Sequence, residues 1–248
     1  MNERKERCDE VNDSLRLIQN TEGLTFGTDA LLLAGYAHGK YARGCELGGG
    51  SGIISMLLLT REKLTTAISL EIQPEYAELV SRNAELNGLS DRLISVCADV
   101  RDYRGGCDFD LVYTNPPYMR ADSGKANLSD KKNIARHEIN GGISDFCLSA
   151  KRLLKFGGTF LAVYRPDRLC DLIASMRDAG IEPKRMTFVH ADQYSEPSMV
   201  LIEGKLGGRC GLLLTRPLLI YTDKTHKNYT DDMNYIMENG SFPSEYKR

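Results

Sequence analysis

The sequence has no apolar run approaching the length of a membrane span, and Met1 to Asn12 is mostly charged and polar rather than leader-like. A cytoplasmic protein without a membrane partner is therefore expected. Close cysteine pairs are also lacking. The seven cysteines (Cys8, Cys45, Cys97, Cys107, Cys147, Cys170, Cys210) are scattered, which argues against a disulfide framework and a zinc site and fits free thiols in a reducing compartment. The four histidines, His38, His137, His190 and His226, stand alone, so no metal is expected. There is no excess of positive charge. Lysine and arginine number 32 against 34 acidic residues, a formal net charge of −2, so any nucleic-acid partner needs a local basic footprint.

What is present is an ordinary globular composition, 42% apolar and 27% charged over 248 residues. That length holds one large α/β domain or a domain with a small appendage. From Tyr41 to Val163 short apolar runs alternate with helical patterns. Strands are expected at Arg43 to Leu47, Leu64 to Leu70, Leu93 to Ala98, Phe109 to Thr114 and Thr159 to Tyr164. Helices are expected at Ser51 to Thr60, Pro74 to Leu86 and Ser144 to Phe156, the last closing on Gly157-Gly158. This alternation implies an α/β fold with a doubly wound, mostly parallel sheet covered on both faces.

Before this core, Ser14 to Gln19 reads as a strand, followed by a helix capped by Thr28 or Asp29 and running to about Ala37. After it come a helix, Pro166 to Ala179, and a strand pair, Met186 to Ala191 and Ser198 to Gly204. The expected division is an N-terminal extension 1–40, a core 41–206 and a C-terminal extension 207–248. The extension carries one apolar run, Leu212 to Tyr221, and then a polar tail with a peripheral helix.

Glu46-Leu47-Gly48-Gly49-Gly50-Ser51-Gly52 falls where the first core strand turns into its helix, the crevice in which doubly wound sheets hold adenosine-containing ligands. Gly48 and Gly50 fit a dinucleotide fingerprint, but its third glycine is replaced by Ile53, and no Lys-Ser/Thr follows to make a phosphate loop. An acidic residue ahead of the glycines opposes a pyrophosphate and suits a cation. S-adenosylmethionine, with its ammonium and sulfonium and no phosphate, is the better fit. Glu71, ending the second strand, is placed to accept from the ribose hydroxyls, with Ile72 beside it. Asp99, after the third strand and beside Val100, is placed to accept from the adenine amine.

Asn115-Pro116-Pro117-Tyr118 ends the fourth strand. Neither proline has an N–H, and the residue before each is pushed towards extended geometry. The result is a stiff ledge with an amide, backbone carbonyls and an aromatic face: two acceptors for a planar amine and a ring on which to stack it.

The ordered set Glu46 to Gly52, Glu71, Asp99 and Asn115 to Tyr118 resembles the amino-methylating branch of the class I S-adenosylmethionine-dependent methyltransferases. The resemblance implies a seven-stranded Rossmann-like sheet with an antiparallel last strand. Phe26 to Leu32, Ala135 to Glu138, Val163 to Leu169 and Pro183 to Arg185 resemble the bacterial tRNA(Val) adenine-37 N6-methyltransferases. Carried over residue by residue, Asn115 and the Pro116 carbonyl hold the substrate amine and Tyr118 stacks on its ring. Thr28 and Asp29 lie near the methionine end of the cofactor, with Gly48, Gly50, Gly52 and Asn115 also at the cofactor.

The implied activity is methyl transfer to adenine N6 in RNA, with tRNA as partner. Guanine N2-methylation, glutamine N5-methylation of a protein, and a catalytically silent cofactor-binding RNA scaffold remain alternatives. Basic residues for RNA are expected at Lys125, Lys131, Lys132 and Arg136, with further positive charge at Arg165, Arg168, Lys184 and Arg185.

Overall fold

The computed structural model describes residues 6–21, 26–116 and 142–247. The chain opens with an antiparallel hairpin of β1 (Glu6–Asn12) and β2 (Leu15–Asn20). Then come α1 (Thr28–Tyr36), β3 (Tyr41–Leu47), α2 (Ile53–Thr60), β4 (Leu64–Glu71), α3 (Pro74–Leu86), β5 (Leu93–Cys97) and β6 (Phe109–Thr114). The second half holds α4 (Ile143–Leu153), β7 (Leu154–Tyr164), a 3-10 turn Pro166–Arg168, α5 (Leu169–Asp178), β8 (Ile181–His190) and β9 (Pro197–Leu206). Two short strands, β10 (Leu213–Leu214) and β11 (Leu218–Leu219), helix α6 (Asp231–Asn239) and a 3-10 turn Ser244–Tyr246 complete it.

The sheet runs β10-β8-β9-β7-β6-β3-β4-β5, with β11 also on β8. Its seven long strands follow the expected plan, with β9 alone antiparallel to its neighbours β7 and β8. The chain leaves β3 for β4 and β5 on one side, then returns to β6 on the other. That reversal opens a crevice at the carboxyl end of β3. Register lines those ends up, with Glu46 opposite both Ser69 and Tyr113, and Glu71 opposite Cys97. Alternating side chains feed two apolar cores. Leu111 and Tyr113 join the layer of α1 and α2, and Val112 joins that of α4 and α5.

Several boundaries differ from expectation for local reasons. The predicted helix to Phe156 stops at Leu153, because Leu154 already pairs with Phe109. Gly157 then takes φ +77° inside an irregularity that leaves Phe156 84% exposed. Strand β8 begins five residues early, its Pro183 lying at a register shift where a missing N–H is tolerated. The arm Glu6–Asn12 was hidden from the sequence by its polarity.

The hairpin does not join the sheet. It is fastened by α3, where Asn83 accepts from Ile18 N at 2.7 Å and donates to Ile18 O at 3.1 Å and Ser51 O at 3.0 Å. Asn87 does the same for Arg16, at 2.9 and 2.7 Å. Two asparagine amides thus complete the edge of β2, one helical turn apart. At the other end of the chain, Phe242 and Tyr246 are buried against Tyr36 and one another. Asn83→Ala leaves three backbone groups unpaired, Ser51 O buried and the two of Ile18 part-buried, and is expected to lower the unfolding free energy by about 2–4 kcal/mol. Asn87→Ala, nearer solvent, should cost less. Urea titrations of the two variants check the order.

Candidate active site

A cavity of about 1120 Å³ lies over the carboxyl ends of β3, β4 and β6, where the strand order reverses. Its floor is the glycine turn. Gly48, Gly50 and Gly52 all have positive φ, and Gly48 N and Gly49 N donate to Leu70 O at 2.9 and 3.0 Å, tying the turn to β4. The glycine that a dinucleotide pattern wants at 53 is supplied one position earlier. Gly52 has φ +79° and a Cβ there would approach Val80 at 3.0 Å, so α2 packs closely on α3 only because it begins on glycine.

Glu46, Glu71 and Asp99 all line the cavity, each in a different hydrogen-bonding environment. Glu46 is 1% exposed, and burial pushes its carboxyl up to about 8. It accepts from Ser55 N at 3.3 Å and from Ser55 Oγ, which in turn lies 2.6 Å from the Tyr113 hydroxyl. Glu71 is 6% exposed and holds the turn itself, accepting from Gly50 N at 2.9 Å and Gln73 N at 3.0 Å. Asp99 is gripped by its neighbour. The Arg101 guanidinium beside it, with Arg101 N at 2.8 Å, keeps its carboxyl below the usual carboxylate range. Ile72 and Val100 stand next to these acids in the same lining.

Thr28, Asp29, Asn115 and Pro116 form another part of the wall. The expected cap at Thr28 or Asp29 is not made: Gly27 is the N-cap residue and no side chain caps the helix. Asp29 is used otherwise. Its Oδ1 accepts from Ala30 N at 2.9 Å, and its Oδ2 accepts from Asn115 Nδ2 at 2.8 Å. A carboxylate can only accept, so the Asn115 amide is turned with its NH2 towards Asp29 and its carbonyl oxygen away. A Cβ on Gly27 would sit 2.8 Å from Asp29 Oδ1, so glycine there keeps this rotamer possible.

Pro117, Tyr118, Lys125, Lys131, Lys132 and Arg136 lie outside the described residues. Of the other basic positions, Arg185 must be withdrawn from any solvent role. It is 4% exposed, paired with Glu203 at 2.8 Å, and donates to Tyr36 O and Tyr246 O. Lys184 lies in the first half of β8, away from the carboxyl edge, and reaches Arg209 O. Arg165 and Arg168 are at that edge but pair with Asp167 and Asp171.

Sequence reasoning missed Ser55 and Tyr113, whose signal was a serine inside the apolar run Ile53 to Leu59 and a tyrosine inside a buried strand. It also missed the far wall from Glu196 to Met199 and Ile220, which comes from the last strands.

Residues 21–170 match the family profile described as methyltransferase small domain. A tRNA1(Val) (adenine(37)-N6)-methyltransferase of Porphyromonas gingivalis is 29% identical over 188 residues, 71% of this chain and 72% of that one. One of the same name from Dyadobacter fermentans is 26% identical over 167 residues, 66% and 69% of the two chains. Among solved structures, a predicted O-methyltransferase from Agrobacterium tumefaciens superposes with a TM-score of 0.70 at 22% identity, covering 87% of this chain and 98% of that one. M. jannaschii TYW2 in complex with AdoMet gives 0.57 at 13% identity, over 83% and 87%. These structural likenesses carry the fold, and the profile carries the family. Matched over more than half its length, the chain belongs to the methyltransferase small domain family.

Proposed function

We propose that this methyltransferase moves the methyl group of S-adenosylmethionine to the exocyclic N6 of an adenine in tRNA, at the position 37 named in its curated relatives. The observation that carries the reading is the Asn115 amide, fixed by Asp29 on the wall of a cavity lined by carboxylates.

The cavity suits that cofactor. Glu46, Glu71 and Asp99 face a ligand at successive strand ends, and the one basic residue among the described lining, Arg165, forms a fork with Asp167. A pyrophosphate would be repelled there; an ammonium and a sulfonium are attracted. Glu46 would hold the cationic end, Glu71 the ribose and Asp99 the adenine. When bound, the cofactor supplies a methyl group on positively charged sulfur.

The protein's own task is to prepare the amine. An adenine amino nitrogen is a poor nucleophile because its lone pair is delocalised into the ring. The Asn115 carbonyl oxygen and the Pro116 carbonyl accept its two N–H bonds, which favours a tetrahedral nitrogen with its lone pair directed out of the ring plane. The same acceptors stabilise positive charge growing on that nitrogen. Tyr118 stacks on the base unstacked from its RNA loop, and Lys125, Lys131, Lys132 and Arg136 hold its phosphates. A cytosolic setting accords with cysteines that are all free.

Nucleoside mass spectrometry of an unmodified tRNA transcript after incubation with the enzyme tests the reading. N6-methyladenosine supports it, and N2-methylguanosine overturns it. Asn115→Ala should lower kcat by at least about a hundredfold, the scale for losing a charge-stabilising partner. Asp29→Ala should lower kcat by about tenfold to a hundredfold through lost orientation, with cofactor Kd nearly unchanged. A raised Kd with normal kcat would return Asp29 to the cofactor.

Glu71→Ala should weaken cofactor binding by about 1–3 kcal/mol in calorimetry. Glu46 gives a pH signature. With its carboxyl at about 8, it is largely protonated at pH 7, and a bound cation requires it ionised. Ser55 and Tyr113 face it, and Glu71 repels its charge from β4. Each pH unit below about 8 therefore raises the apparent Kd, towards tenfold per unit, and affinity levels off above it. Glu46→Gln should remove this dependence from calorimetric titrations between pH 6 and 8.

A further inference from the structure

The last strands bring exposed aromatic rings to the same edge of the sheet as Asn115. Strand β8 runs parallel to β6, since β9 is antiparallel to both β7 and β8 and β6 is parallel to β7. Its end at His190 therefore shares the carboxyl edge with Thr114. Strand β11 runs parallel to β8, and Ile220 N and Tyr221 N bond to His190 O and Ala191 O at 3.0 and 2.8 Å. Ile220 itself lines the cavity, as does Glu196 to Met199 after β8.

At this rim three rings lie nearly parallel. Tyr221 stacks on His226 with centroids 4.7 Å apart and an interplanar angle of 19°, and on Tyr229 at 5.3 Å and 20°. Tyr194, 64% exposed, stands in the neighbouring loop with Lys224 Nζ 4.7 Å above its ring. The arrangement is built rather than incidental. His226 has φ +54°, a left-handed conformation that costs energy for any residue with a Cβ. It is held by Asp192, which is 2% exposed and sits 3.0 Å from His226 Nε2. The same carboxylate accepts from Tyr194 N at 2.8 Å and Ser195 Oγ at 3.0 Å, so one buried acid organises both ring-bearing loops.

Rings half out in water gain little from burial, and Tyr229 remains 41% exposed. Their faces are suited instead to planar, sequence-tolerant stacking, with Lys224 and Lys227 exposed beside them for phosphates. We propose that this rim is a docking surface for single-stranded RNA, on which nucleotides flanking the target base stack against Tyr229, His226 and Tyr194. The proposal rests on the tRNA reading above and adds a place for the RNA on the C-terminal segment. It owes nothing to the loop after Tyr118.

The test compares wild type with two double variants on an unmodified tRNA transcript. Tyr194→Ala with Tyr229→Ala should raise the tRNA KM at least about tenfold, the scale of lost base–ring stacking. Saturating kcat and cofactor Kd should stay as they were. Tyr194→Phe with Tyr229→Phe keeps both faces and should bind as wild type does. If wild type methylates the transcript and the alanine pair leaves KM unchanged, the surface is not the RNA dock, although the tRNA reading stands; a surface for a protein partner gives that result. A fall in kcat with KM unchanged overturns the proposal too. If wild type neither binds nor methylates the transcript, the tRNA reading itself fails and this surface falls with it.

Discussion

The 2.8 Å hydrogen bond from Asn115 to Asp29 joins residues 86 apart in sequence, and much of the fold can be understood as holding its two ends. Asp29 rides on the first turn of α1. That helix is steadied at its start by the buried Gln19 of β2, which accepts from Phe26 N at 2.8 Å. At its far end the buried Lys63 donates to the carbonyls of Ala34, Gly35 and Ala37 at 3.0, 3.0 and 2.6 Å, satisfying groups that a helix end leaves open. The other partner stands just past β6. That strand is locked between β3 and β7, and Thr114 Oγ1 donates to Leu47 O at 2.8 Å immediately before the amide. The amine-holding role proposed for Asn115 needs a fixed orientation more than strength, and a carboxylate is the partner that leaves no second choice.

The cavity's acids follow from the same economy of placement. Three carboxylates at successive strand ends would repel one another if all were charged and idle. The fold separates their states instead: Glu46 is buried against Ser55 and driven towards neutrality, Glu71 is engaged by backbone N–H groups, and Asp99 is neutralised by Arg101. A cation entering this field meets acceptors that are already oriented. The buried serine and tyrosine behind Glu46 support one of the cavity's acids, though neither lies in a glycine motif.

The sequence was most legible where chemistry and local periodicity coincide. Helix α3 begins at a proline and ends before Gly88, and β6 ends where two prolines begin, so both matched their expected limits residue for residue. Glycines with positive φ marked the turn after β3 equally well. Legibility failed where tertiary contacts decide. Phe156 looked like the apolar end of a helix, yet it projects into solvent from an irregular strand because Leu154 had already paired with β6. Arg185 looked like a surface cation, yet Glu203, two main-chain carbonyls and the face of Tyr36 enclose it. The far wall of the cavity is built by strands added last to the sheet, and no local pattern announces that they return to the catalytic edge. Asp29 was read as a helix cap or a cofactor contact, and only the folded structure, which sets the first turn of α1 beside the residue after β6, reveals its partner.

A double-mutant cycle on Asp29 and Asn115, read in kcat at saturating cofactor and tRNA, tests the central coupling most directly. If Asp29 acts by orienting Asn115, the Asp29→Ala, Asn115→Ala double variant should be no slower than Asn115→Ala alone, because an absent amide cannot be misdirected. Losses that multiply would mean that the two residues act independently, and the account of the site would be wrong.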